Sequence, residues 1–191
     1  MSNGFSAYLL AAGRGKRAGG PKAWLKVGGT PLLEKQVSFL SGRYGSKNIA
    51  VTVQEGWLPR CRAIDSQVHW VAEDPEGTPM HALRALLDDV PFPAWVFYYH
   101  VDMPVWIPGL FDALEEAAEE AQEGVDAVVA SSAGKGGHPV LLSQSACEAL
   151  KTLDPEIDRL DMWLRTRRVV YANTEHAEIF ENWNEGRVIA Q

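Results

Sequence analysis

Short apolar, β-branched and aromatic runs alternate with stretches of helical period along the whole chain, and this alternation constrains the fold more than any other feature. Residues 5–12, 48–53, 67–72, 94–101, 125–130, 139–142 and 169–171 have the composition of strands. Residues 31–40, 79–87, 107–123, 144–150 and 158–164 place apolar side chains at helical spacing or lie between helix start and stop signals. Such alternation predicts an α/β fold built on a mostly parallel sheet. There is no linker, repeat or low-complexity segment, so the expectation is a single domain over residues 1–191.

Composition narrows the function classes. The chain is 46% hydrophobic and 23% charged, as expected of a globular protein. No run approaches the about 20 apolar residues of a membrane span. The stretch 7–12 is too short for a signal sequence, and no basic segment precedes it, so a cytoplasmic location is expected. Cys61 and Cys147 lack metal-ligand spacing and are expected to be reduced thiols. The net charge of −7 speaks against nucleic acid as a partner. Its distribution is uneven: Arg14, Lys16, Arg17, Lys22 and Lys26 all precede the first acidic residue, Glu34. The acidic stretch 112–123 has the pattern of a solvated helix face.

The basic residues fall in a glycine-rich loop directly after the first strand, where parallel sheets place their ligand crevice. Gly13, Gly15 and Ala18 fit a dinucleotide-binding fingerprint, but that motif opens straight into a helix. Gly19-Gly20-Pro21 would break the helix in its first turns. A P-loop is excluded because Pro21 stands where its lysine is required. The favoured reading is a long loop wrapped around phosphates, with a dinucleotide loop and a solvated basic turn as the alternatives. Glycines let the backbone approach an anion, Arg17 offers a planar fork, and Lys22 offers a mobile point charge. A triphosphate carries enough charge to account for so many cations.

Leu10-Ala11-Ala12-Gly13-x-Gly15-x-Arg17-x-Gly19-x-x-Lys22, followed by Gly28-Gly29-Thr30-Pro31-Leu32-Leu33, resembles the signature of the molybdenum-cofactor-type nucleotidyltransferases, the molybdopterin guanylyl- and cytidylyltransferases and their relatives. Further segments match in order: Gly77 and the helix after it, Val101-Asp102-Met103-Pro104, Gly137-His138-Pro139-Val140-Leu141, and Phe180-x-Asn182-Trp183-Asn184. The last departs from the family pattern, continuing Glu185-Gly186-Arg187 in place of Thr-Pro-Glu-Asp. His81 stands where a small hydroxyl residue is common.

The resemblance implies a three-layer α/β/α, Rossmann-like fold of the nucleotide-diphospho-sugar transferase type. It implies transfer of CMP or GMP from CTP or GTP to a phosphate acceptor, with pyrophosphate leaving and molybdopterin the expected acceptor; a sugar phosphate, or nucleotide binding without turnover, is the alternative. Arg17, Lys22 and Asp102 are the expected catalytic residues, with Arg17 on the β- and γ-phosphates and Lys22 at the α-phosphate. Leu10, Ala11, Ala12, Gly13, Arg14, Gly15, Gly19, Lys22 and Gly77 are expected to bind the nucleotide. Asp102, at a strand end, is expected to hold Mg²⁺, which takes few carboxylates and completes its shell with phosphate oxygens. His138, Pro139, Asn182 and Asn184 are expected around the acceptor, with Trp183 beside them. His100 lies on the same strand face as Asp102 and is expected to be structural. The protein is expected to be a monomer or a homodimer.

Overall fold

The computed structural model describes residues 4–15 and 19–183. From the N-terminus the elements are β1 (Phe5–Leu10), a small ribbon of β2 (Lys26–Val27) and β3 (Thr30–Pro31), α1 (Leu32–Tyr44), β4 (Ile49–Val53), α2 (Leu58–Ile64), β5 (His69–Ala72) and α3 (Pro79–Asp89). Then come β6 (Trp95–His100), α4 (Pro108–Glu119), β7 (Ala127–Ser132), β8 (Lys135–Ser143), α5 (Gln144–Leu150), α6 (Leu160–Leu164) and β9 (Val169–Asn173). A seven-stranded sheet runs in the order β5-β4-β1-β6-β8-β7-β9. The pairs β5/β4, β4/β1, β1/β6 and β7/β9 are parallel, and β8 is antiparallel to both neighbours.

Two core layers sandwich this sheet. Alternate residues of β1 and β6, such as Leu9 and Phe97, pack with Leu33 and Leu40 of α1 and with Phe111 and Leu114 of α4. The intervening Tyr8, Leu10, Val96 and Tyr98 pack with Leu83 and Leu86 of α3 and with Cys147 and Leu150 of α5. The central strand β1 is buried at every position, so its apolar run is continuous instead of alternating. The three-layer α/β/α expectation therefore holds. The two cysteines lie in different layers, and burial raises the Cys61 thiol to about 11 and the Cys147 thiol to about 12.

Three local expectations need correction. The run 139–142 is the inner part of the longer β8, which forms a hairpin with β7. The helix expected over 107–123 ends at Glu119, because the chain must turn into β7; the Glu123 carbonyl is taken by the Arg168 guanidinium at 2.9 Å. The acidic face of that helix is partly engaged: Arg43 of α1 forks onto Glu115, both N–H···O distances being 2.8 Å, and Tyr44 donates to the same carboxylate. This cluster clamps α1 to α4. In addition, α2 lies where no element is expected.

Candidate active site

Chain order reverses at β1: β4 and β5 follow on one side, β6 on the other. Loops leaving β1 and β6 there diverge and open a crevice, the usual ligand position in such sheets. The backbone prolongs the ladder for one step, with Ala11 N–H donating to Thr52 O at 3.0 Å and Val101 N–H to Leu10 O at 2.9 Å. Gln54 Nε2 then holds the Ala12 carbonyl at 2.9 Å. Past this anchor the loop folds on itself, Gly20 N–H meeting Gly15 O at 3.3 Å. Gly15 has φ of +61°, and a Cβ there would stand 2.0 Å from the Gly20 carbonyl oxygen. No other residue fits this position.

The loop returns through a 3-10 turn, Lys22–Trp24, which aims Lys22 back across the crevice. Its Nζ lies 2.6 Å from Asp102 Oδ2, just beyond the end of β6, and both side chains are mostly buried. Residues 80 apart in sequence thus meet at the floor of a cavity of about 160 Å³. Leu10, Ala12, Gly13, Gly15, Lys22 and Gly77, all expected to bind nucleotide, line it together with Asp102. Ala11 is buried behind this wall. Gly19 is exposed and stands outside it. Arg14 spans the rim, its Nε 2.7 Å from Glu76 Oε1. Arg17 lies outside the described residues.

The opposite wall comes from the β5–α3 connection, including Glu73, Asp74 and Thr78. Of the residues in this connection only Gly77 is legible in the sequence, because wall carboxylates have no motif of their own. Thr78 caps α3: its hydroxyl accepts from His81 N–H, and His81 Nδ1 accepts from Thr78 N–H. The imidazole does the work usually done by glutamate in a capping box. His81 also reaches Glu156 at 3.3 Å, and the Thr78 hydroxyl donates to Pro155 O at 2.8 Å. Both contacts fasten the segment after α5 to α3.

That segment walls a second, larger cavity of about 1100 Å³. Thr78, Pro79 and His100 line both cavities, so the two meet. His138 lines the larger one, and Pro139, joined to it by a cis peptide bond, is buried behind it. Burial, with the charge of nearby His100, lowers the His138 imidazole to about 4. Its Nε2 is buried without a hydrogen-bond partner among the described residues. Burial likewise lowers His100.

Asn182 is exposed and lines neither cavity, and Asn184 lies outside the described residues. The late segment meets the site through Trp183, whose N–H donates to Asp102 O at 2.8 Å. Gly137 admits this segment, since a Cβ there would lie 2.5 Å from Ile179 O. Sequence reasoning missed the wall formed by residues 155–161, and His100, expected to be structural, lines both cavities. The one available signal for His100 was its place two residues before Asp102.

A divalent ion requires hard oxygen donors. Asp102 Oδ2 is engaged by Lys22, while Oδ1 has no hydrogen-bond partner among the described residues. Those residues contain no group of three or more metal-ligating side chains. One carboxylate fits an ion that takes its remaining donors from water and phosphate, and does not fit a dedicated protein cage.

Similar proteins point the same way. The bifunctional protein GlmU of Chromobacterium violaceum is 27% identical over 133 residues, which are 69% of this chain and 29% of that protein. The chain thus spans under a third of that relative's length. The structure of Rv0371c from Mycobacterium tuberculosis H37Rv superposes with a TM-score of 0.72 at 20% identity, covering 89% of this chain and 88% of the other. Its complex with manganese superposes with a TM-score of 0.66 at 18% identity over 89% and 88%. Molybdopterin-guanine dinucleotide biosynthesis protein A from Archaeoglobus fulgidus gives 0.64 at 18% identity over 88% and 83%. At these identities the structural likenesses show the fold. A model of the MobA-like NTP transferase domain matches residues 7–176, nearly the whole chain, so the chain belongs to the MobA-like NTP transferase domain family and is a nucleotidyltransferase.

Proposed function

We propose that this enzyme moves CMP or GMP from CTP or GTP to a phosphate acceptor, with molybdopterin the first candidate, and releases pyrophosphate. The observation that carries the reading is the Lys22–Asp102 pair, 2.6 Å apart at the floor of the loop-wrapped cavity and beside the larger one. The Archaeoglobus fulgidus neighbour, named for molybdopterin-guanine dinucleotide biosynthesis, supports the choice of acceptor.

In this reading the triphosphate lies along Ala12, Gly13 and Gly15, where backbone can approach phosphate closely. Lys22 turns toward the α-phosphate when nucleotide enters, and Arg17 holds the outer phosphates. An acceptor phosphate oxygen attacks the α-phosphorus; the new P–O bond forms as the bond to the β-phosphate breaks, and pyrophosphate carries away the electron pair. The acceptor oxygen is already anionic near neutral pH, so the protein supplies position and compensating charge. Asp102 would hold Mg²⁺ through its carboxylate, and a bound ion would neutralise phosphate charge. The manganese complex of Rv0371c supports a divalent ion in a protein of this fold. His138, with its unpartnered Nε2, contacts the acceptor. Asn182 and Asn184 are the further acceptor-side candidates.

Pyrophosphate release with Mg²⁺, CTP or GTP, and either molybdopterin or a panel of sugar 1-phosphates tests this reading. The expected result is release with molybdopterin and one of the two triphosphates, and its loss in Asp102→Asn with the melting temperature preserved. Release with a sugar phosphate alone would replace the acceptor. A variant that turns over with normal Mg²⁺ dependence would remove Asp102 from the metal.

A further inference from the structure

His100 occupies the junction of the two cavities, lining both. Its Nε2 lies 2.9 Å from the hydroxyl oxygen of Tyr98, two residues earlier on the same face of β6. Tyr98 is buried, its phenol is raised above the ordinary range by burial, and its one hydrogen has no other described acceptor. The arrangement that satisfies this hydrogen within the protein has the hydroxyl donating and Nε2 accepting. The ring hydrogen of a neutral imidazole then sits on Nδ1. Among the described residues Nδ1 bonds to nothing.

A second histidine stands beside it. The antiparallel pairing of β6 and β8 runs as far as Tyr98 opposite Val140, and His100 and His138 lie two residues beyond it on their strands. Both line the larger cavity. His138 Nε2 is sealed from solvent and has no partner. Buried polar atoms are nearly always hydrogen-bonded, so an orphan on a residue that lines a cavity calls for a partner.

We infer that His100 is an acceptor-binding residue: its Nδ1–H, oriented by Tyr98, donates to an oxygen of the acceptor's phosphate where the two cavities meet, and His138 Nε2 makes the neighbouring contact to the same group. This rests on the nucleotidyl-transfer reading and deepens it. The acceptor class it names is a phosphate monoester whose phosphate enters the junction while its body fills the larger cavity. Lys22, on the nucleotide side, is then left for the α-phosphate. Tyr98 is a positioning residue acting through His100.

Histidine-labelled protein, observed by long-range ¹H–¹⁵N NMR with His100 assigned from the His100→Gln spectrum, reads the arrangement without turnover. The expected tautomer of His100 carries hydrogen on Nδ1, and Tyr98→Phe should lose that preference. In metal-free buffer, phenyl phosphate added to protein saturated with CTP or GTP should shift the His100 ring nitrogens. His100→Leu should weaken phenyl phosphate about tenfold or more, as expected for a hydrogen bond to a charged group, and leave triphosphate affinity within about twofold. Hydrogen on Nε2, an unmoved ring, or a loss falling on the triphosphate would overturn the assignment. Calorimetry of the triphosphate alone reports separately on the nucleotidyl-transfer reading, and circular dichroism on each variant separates lost contacts from lost fold.

Discussion

Lys22 gives up most of its solvent to reach Asp102, a desolvation that the ion pair offsets only in part. If its ammonium meets the α-phosphate, its contribution grows as charge develops there during transfer. Lys22→Ala should therefore lower kcat by about 10²–10³-fold, while calorimetry finds triphosphate affinity changed far less; near wild-type kcat would remove it from the chemistry. Lys22 and Asp102 were each legible in the sequence, one from the glycine-rich loop and the other from its place after a strand. Their direct contact was not, because the 80 residues between them carry no sign of which loops converge. His100 was read as structural because one histidine on a strand looks like core; that it lines both cavities, the larger one together with His138, appears only in the fold.

The elements position these groups through their ends. The strands and helices of the two core layers were legible because their apolar periods are strong, as in β1, β6 and α3. Their boundaries were less so. The short helix α2 escaped because it buries only Cys61, too little for a period to register. The antiparallel direction of β8 could not be seen either, since alternation reports a strand and not its neighbour. Helix α3 joins the two cavities through its cap, and the cap is testable. Thr78→Val removes the hydroxyl that accepts from His81 N–H and donates to Pro155 O. Loss of such a cap costs about 1 kcal/mol, which corresponds to roughly 2–4 °C in Tm for a chain of this size. Hydrogen exchange should then quicken at the start of α3 and in residues 154–161. A Tm loss with exchange unchanged there would mean that the cap does not anchor the cavity wall.

Across the whole molecule, charge is sorted as the proposed chemistry requires. The chain carries −7 overall, yet five cations and no acid occupy its first 33 residues, and one of them, Lys22, lines the cavity. Another, Arg14, is spanned to Glu76 at the rim, so an entering nucleotide competes with that carboxylate for it. The basic loop should thus discriminate by phosphate count, and salt should weaken the most charged ligand most, since these partners are partly exposed. The central claim is that the loop binds a triphosphate through its cations, and calorimetry of CTP, GTP, CMP and NAD on wild type and Arg17→Ala tests it most directly. CTP or GTP should bind more than tenfold tighter than CMP, as one or two charge-assisted bonds of about 1.5–3 kcal/mol would give, and Arg17→Ala should erase most of that difference. NAD binding tightest, or neither triphosphate binding better than CMP, would contradict it.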